Sequence, residues 1–252
     1  MIDTHAHIQD LENIDKSILD AIESGVDKMI CVGYDIGSSI KAIALADKYD
    51  SVYAIIGVHP SEVDNISDDY IDVLREMAQT DKVVAIGELG LDYHYLPYDK
   101  ELQKEVMVAQ IKLANELNLP ICIHTRDAIG DTIAVLKENE QYLNNSGVLH
   151  CYGESYESFN ILKKYNFKIS IGGVLTYKNA RNIVEVVSKI PMEYIMLETD
   201  CPWLTPEPYR GKCKNEPKYV VEVLKKLAEV KGLSVEEVET MTNRNANELF
   251  RF

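Results

Sequence analysis

A (β/α)8 barrel is the fold class that this sequence predicts, and three observations carry the prediction. Eight short apolar runs alternate with longer stretches of helical period, the pattern of β-α units around a parallel sheet. The chain has 252 residues, 46% of them hydrophobic, which is enough for one such barrel and its core. Every histidine stands at or just beyond the end of an apolar run, and the carboxyl ends of the strands are where a parallel barrel gathers its chemistry. A doubly wound open sheet shares the alternation and is the runner-up. It normally carries a Gly-rich phosphate turn after an early strand, and Gly33-Tyr34-Asp35-Ile36-Gly37 and Gly172-Gly173 lack that spacing.

Taken in order, the first run covers residues 2–8 and holds His5 and His7. Alternate side chains of a strand share a face, so this pair can grip one metal ion. On its own the pair fits two histidines on a solvated sheet face equally well, and the rest of the chain has to decide. A helix over 11–24 follows, then a run over 28–33 and a helix over 38–49. The third run, 52–58, leads into Gly57-Val58-His59-Pro60, and a helix follows over 68–79. The fourth, 83–89, leads into Glu88-Leu89-Gly90-Leu91-Asp92 and a helix over 98–117. His124-Thr125-Arg126-Asp127 closes the fifth run, 120–125, before a helix over 127–138. His150-Cys151-Tyr152 closes the sixth, 147–151, before a helix over 155–165. The seventh run, 167–172, precedes a helix over 178–188, and the eighth, 194–199, leads into Asp200-Cys201-Pro202.

Two helices finish the chain, over 217–231 and 234–250. Ser234 with Glu237 has the spacing of a capping box, and Val221, Leu224, Leu227 and Ala228 form a core stripe at helical spacing. No repeat, linker or low-complexity tract interrupts the series, so residues 1–252 are read as one domain.

The formal charge of −15 works against a long, non-specific nucleic-acid track, which needs clustered Lys and Arg. A phosphate substrate bound locally remains compatible, because metal ions in a cleft reverse the field there. No apolar run approaches the roughly 18 residues of a membrane span, and the chain starts directly in a strand, so a cytoplasmic protein is expected. Five scattered cysteines without a C-x-x-C pair fit a reducing compartment. No obligate protein partner is evident.

Imidazoles and carboxylates gathered at strand ends suit Zn, Mn, Fe or Co, whereas an all-oxygen shell would suit Mg or Ca. The segments D-T-H-A-H, G-V-H-P, G-E-L-G-L-D, H-T-R-D, H-C-Y-G and L-E-T-D-C-P-W-L, with the later R-G-K-C-K-N-E-P, resemble the TatD family of metal-dependent deoxyribonucleases in the right order along nearly the whole chain. The resemblance implies a TIM barrel that binds two divalent ions (Zn, Mn, Co, Fe or Mg) and hydrolyses phosphodiester bonds in DNA. It implies His5, His7 and Asp200 on one ion, His124 and His150 on the other, and Glu88 bridging both. His59 is implied beside the site as a substrate contact or supporting group. Two such ions lower the pKa of a water and stabilise charge on the attacked phosphate. Asp200 is the candidate general base.

Further residues have weighed alternatives. Arg126 next to His124 suits a phosphate clamp better than a plain salt bridge with Asp127. In the basic stretch after the eighth run, Arg210, Lys212 and Asn215 are expected to hold a phosphodiester, with Gly211 allowing close approach. Asp92 and His94 are open between a functional role and loop solvation. Tyr152 and Trp203, where the family more often has Phe and Tyr or Phe, are open between base stacking and rim packing. Glu198 should point inward in a buried ion pair, and Cys201 should leave on the face opposite Asp200.

The competing functions are an amidohydrolase-type hydrolase of a cyclic amide, lactone or ester, an aminoacyl-tRNA deacylase, and a non-catalytic metal-binding barrel. Many amidohydrolases bridge their ions with a modified lysine on the fourth strand, where this chain has Glu88.

Overall fold

The structure, a computed structural model, describes residues 1–252. Eight parallel strands pair in sequence order: β1 (Ile2–Ala6), β2 (Lys28–Val32), β3 (Val52–Ile56), β4 (Val83–Asp92), β5 (Ile121–Arg126), β6 (Gly147–Leu149), β7 (Lys168–Ile171) and β8 (Ile195–Leu197). They form a nearly closed TIM barrel. Helices α1 (Ile14–Glu23), α2 (Ile36–Lys48), α3 (Tyr70–Met77), α4 (Lys100–Leu117), α5 (Ile129–Glu138), α6 (Tyr156–Leu162) and α7 (Arg181–Lys189) connect them, and α8 (Val220–Lys231) and α9 (Val235–Phe250) complete the chain.

Local chemistry explains several of these ends. The Asp35 carboxylate accepts from the Ser38 N–H and starts α2, Asp99 does the same for α4, and Ser234 with Glu237 closes the expected capping box of α9. Gly232 ends α8 at φ +64°, a left-handed turn that costs glycine little. Where the runs over 147–151 and 194–199 promised longer strands, β6 and β8 stop at Leu149 and Leu197. His150 and Asp200 therefore stand on the loops just beyond.

The apolar residues form two cores. The larger lies between strands and helices, around Ile8, Ile56, Leu89, Ile123 and Phe159. The smaller fills the barrel with Ile2, Ile30, Val32, Ile55, Val84, Cys122, Val148 and Met196, and Ala246, Leu249 and Phe250 of α9 close its amino end. Asn245, buried on the same helix, donates to Met192 O and Ile195 O at 2.7 Å. Burying Phe250 against this inner core contributes about 1.5–3 kcal/mol by area alone.

Two irregularities aim side chains at the other end. The β1–β2 register slips by one residue between Asp3 and Ala6, and the β4–β5 register slips between Ile86 and Leu89. Such bulges bend a strand and redirect its side chains, and here they flank His5 and Glu88. Gly90 keeps β4 close to β5, since at φ +147° a Cβ there would lie 1.9 Å from His124 O.

Candidate metal centre

Glu88, 3% exposed, is the hub of the carboxyl end. One of its oxygens, Oε2, lies 3.4 Å from His5 Nε2 and 3.6 Å from His7 Nε2. The other, Oε1, lies 2.9 Å from His124 Nδ1 and 2.8 Å from His150 Nε2. Asp200 Oδ1 completes the first group at 3.8 Å from His5 Nε2 and 3.6 Å from His7 Nε2. The six residues expected to hold metal thus converge as two sets, His5-His7-Asp200 and Glu88-His124-His150. The carboxylate of Glu88 faces each set with a separate oxygen.

For three of the imidazoles hydrogen bonds determine which nitrogen is offered. His7 Nδ1–H donates to Val32 O at 2.9 Å, which leaves a lone pair on Nε2. His124 Nε2 donates to Asp92 Oδ2 at 3.0 Å, which leaves one on Nδ1. His59 is the reverse case: its Nδ1 accepts from the Ser61 N–H at 3.1 Å, so Nε2 carries the proton and faces Glu88 Oε1 at 3.6 Å. His59 is therefore a donor beside the centre rather than a ligand. This choice of tautomers disfavours the alternative grouping of His59, Asp92 and His124.

The fit to a metal ion rests on an orphaned atom. His5 Nε2 is buried without a hydrogen-bond partner while aimed at two carboxylate oxygens, an expensive arrangement for a polar atom unless a cation joins it. The donor set of imidazoles and carboxylates is one that divalent transition ions accept.

Electrostatics agree. Burial works against charge on Glu88, yet His150, His59 and His5 hold its carboxyl well below the usual range. Burial likewise opposes charge on Asp200, and the His7 hydrogen bond and His150 keep it low. Burial pushes His5 down to about 4 and His59 down to about 3, helped by neighbouring imidazoles. For His150 burial is outweighed by Glu88, Glu198 and Asp200, which lift it to about 10. The cluster thus pairs two anionic carboxylates with histidines that are neutral or would give up a proton to an arriving cation.

Asp92 is settled as an orienting group: Oδ2 accepts from His124, and Oδ1 accepts from the His94 N–H at 2.9 Å. His94 itself is exposed and pairs with Asp127 at 2.8 Å. Arg126 therefore does not bridge to Asp127. Its guanidinium lies 4.9 Å from the Tyr95 ring centroid on the exposed rim.

Glu198 is inside the barrel, as expected, with His150 Nδ1 3.9 Å from its Oε1 as the ion-pair partner, and hydrogen bonds hold both of its oxygens. The Ser170 hydroxyl donates to Oε2 and the Cys151 N–H donates to Oε1 at 2.7 Å, while burial pushes its carboxyl up to about 7. Cys201 is fully buried in the outer core. Asp200 sits at φ +55°, so it does not alternate with Glu198 in the way a strand would.

The rim corrects two expectations. Tyr152, 3% exposed, is core, with its hydroxyl donating to Ser155 O at 2.7 Å, so no base can stack on it. Asn215 is fully buried: its Nδ2 donates to Thr199 O at 2.8 Å and Trp203 O at 2.7 Å, and its Oδ1 accepts from the Glu216 N–H. The burial arises because the loop folds back over it, and no donor is left for a substrate. Arg210 stacks on Tyr177 at 3.7 Å, and Lys212 is exposed nearby in sequence beyond Gly211, whose φ of +74° makes the turn. Trp203, half exposed, meets the His7 ring edge-on at 5.0 Å.

Sequence reasoning missed Asp3 and Thr199. The Asp3 carboxylate, fully buried, accepts from the Thr199 N–H at 2.9 Å and the Thr199 hydroxyl at 2.6 Å. The signal available was an apolar strand opening with an aspartate ahead of His5.

Comparison with known proteins is consistent along the full length. The family model described as TatD related DNase matches residues 2–251. An uncharacterized metal-dependent hydrolase of Bacillus subtilis (strain 168), YabD, is 42% identical over 255 residues, covering 100% of this chain and 99% of that protein. YcfH of Escherichia coli (strain K12), also an uncharacterized metal-dependent hydrolase, is 36% identical over 257 residues, covering 99% of this chain and 95% of that protein. Among solved structures, the TatD homolog YJJV from Escherichia coli k12 superposes with a TM-score of 0.93 at 28% identity, covering 100% of this chain and 98% of that one.

Proposed function

The chain belongs to the family of TatD-related DNases and is a metal-dependent hydrolase, and from that premise we propose that it cleaves phosphodiester bonds of DNA with two divalent ions. The observation that carries this reading is Glu88, whose two oxygens face two separate ligand sets, Oε2 toward His5 and His7 and Oε1 toward His124 and His150. When bound there, two ions supply charge neutralisation at the phosphate and acidify a water.

The chain's own residues do the rest. His5, His7 and Asp200 hold one side of the reacting phosphate's surroundings and Glu88, His124 and His150 the other. Asp92 keeps the His124 lone pair aimed inward through its 3.0 Å hydrogen bond. Asp200, held low in pKa and 14% exposed in its side chain, is the base that accepts the proton of the attacking water. His59 presents Nε2–H toward Glu88 and the cleft, where it can donate to a phosphate oxygen. Arg126, Arg210 and Lys212 are exposed cations with no carboxylate within salt-bridge distance, and free cations in so acidic a chain support the reading of an anionic substrate held locally. Trp203 offers a half-exposed aromatic face to a base.

Glu88 also separates this reading from amidohydrolase-type hydrolysis of a cyclic amide, lactone or ester, and from an aminoacyl-tRNA deacylase only in part, since that reaction also suits the ligand set. The deciding experiment sets metal-loaded protein against single-stranded DNA, double-stranded DNA, RNA, charged tRNA and small esters. The highest kcat/KM is expected on DNA. A higher value on an ester or a charged tRNA would replace this reading.

A further inference from the structure

The seam between β1 and β8 is not closed by an ordinary ladder. One side-chain bond and two irregularly spaced main-chain bonds cross it: Thr4 Oγ1 donates to Leu197 O at 2.8 Å, the Asp200 N–H to His5 O at 2.9 Å, and the His7 N–H to Cys201 O at 2.8 Å. His5 and Asp200 of the first set are therefore backbone partners, and His7 is tied to Cys201, the residue after Asp200. Their setting depends on where the peptide between Thr199 and Asp200 lies.

Thr199 is gripped on both sides of its Cα. Asp3 takes the Thr199 N–H and hydroxyl, and Asn215 donates to the Thr199 carbonyl. Asp3, Thr199 and Asn215 are 0–1% exposed, so water cannot replace any of these bonds, and losing one leaves a buried polar group unpaired. Asn215 spends its second N–H on Trp203 O. A single carboxamide thus ties the residue before a ligand to the residue that touches His7. Arg210 and Lys212 lie on the segment between Trp203 and Asn215.

We propose that Asp3, Thr199 and Asn215 form a positioning chain that couples an ion on His5, His7 and Asp200 to the setting of the loop over 203–215, so that metal occupancy arranges the cationic loop for substrate. It rests on the metal-centre reading above. Any shift of the Asp200 backbone toward an ion carries the Thr199 carbonyl with it, and Asn215 links that carbonyl to Trp203 O. Coupling of this kind is reciprocal: what the ion does for the loop, the loop does for ion affinity.

Trp203 is the sole tryptophan of the chain, so its fluorescence reports the loop. The test titrates chelator-stripped protein with Mn2+ and follows bound Mn2+ by equilibrium dialysis alongside Trp203 emission. In the wild type the two signals should rise together. Thr199→Val and Asn215→Ala should weaken Mn2+ binding about tenfold to a hundredfold, the range for groups that orient ligands, and reduce the Trp203 response relative to bound ion. Thr199→Ser keeps the hydroxyl and should restore both. Thr199→Val leaves Asn215 in place and carries the test should Asn215→Ala not fold. Variants that lose thermal stability yet keep the wild-type midpoint and emission change would overturn the coupling. Mn2+ binding to the wild type without any Trp203 response would overturn it as well, with the metal centre intact. No Mn2+ binding to the wild type would remove both readings together.

Discussion

The two ends of the barrel are built on opposite principles. At the amino end, Ile2, Val84 and Met196 of the strands meet Leu249 and Phe250 of α9 in a dry apolar plug. At the carboxyl end, His5, His7, Glu88 and His150 are almost as deeply buried, at 1–7% exposure, but are polar and leave atoms such as His5 Nε2 unpaired. The plug stabilises by removing apolar surface from water, with little demand on angle. The ligand cluster costs stability on its own and returns it only through directional bonds to a cation. The difference teaches that burial alone does not identify a core in this fold: the chemistry of what is buried decides whether a region holds the barrel together or waits for a ligand.

The sharpest break in this comparison comes from Glu88→Ala. It removes the anion between both ligand sets and should lower turnover by about 10⁴-fold or more, on the scale seen when residues acting as a unit lose a member. Metal content should fall further than in His59→Ala, because the His59 tautomer points a proton rather than a lone pair at the centre. Equal metal content in the two variants would contradict a bridging Glu88.

Asp200→Asn should retain the fold and reduce kcat about 10³-fold, since it removes an anionic ligand and the proposed base. Full activity with metal bound would reassign the base. Phe250→Ala addresses the other end. It should cost about 3–5 kcal/mol of stability, a melting decrease on the order of 10 °C for a chain of this size. Its folded fraction should keep wild-type kcat/KM and metal affinity, and a loss of metal at temperatures where the variant is folded would mean that the two ends are not independent.

Asp92→Asn sharpens the division within the carboxyl end itself. It keeps the shape but weakens the hold on the His124 tautomer, and should cost about 10–100-fold in metal affinity or activity, read by metal titration. Smallest of all, Arg210→Ala with Lys212→Ala should raise KM for DNA severalfold, flatten the salt dependence of kcat/KM and leave metal content unchanged. An unchanged salt slope and KM would assign the loop to surface charge balance.

The barrel was legible in sequence because its signal is periodic. Strand and helix alternation, the capping residues Ser234 and Glu237, and the apolar stripe of α8 each state a local preference that the tertiary structure keeps. The convergence of His5, His7, Glu88, His124, His150 and Asp200 was legible for a related reason: a parallel barrel puts all strand carboxyl ends on one face, so residues at strand ends need only stand there to meet. No helix is long and apolar enough to cross a membrane, in keeping with the short apolar runs.

What sequence misread was contact and direction. Asn215 looked like a substrate ligand because it follows Arg210 and Lys212, but the loop folds so that its carboxamide is consumed by Thr199 and Trp203. Tyr152 looked like a rim aromatic and is core. Asp92 could not be chosen over His94 until β4 and β5 brought its carboxylate to His124. Sequence by itself determined the order of the elements, the end of the barrel that carries the chemistry and the residues available to bind metal, because these follow from period, charge and donor type. Only the tertiary structure decided the tautomers of His7, His59 and His124, the bulges that aim His5 and Glu88, and the grip of Asp3 and Asn215 on Thr199. Those are hydrogen bonds between residues up to 196 positions apart, and a hydrogen bond is fixed by distance and angle, which a linear order of residue types does not contain.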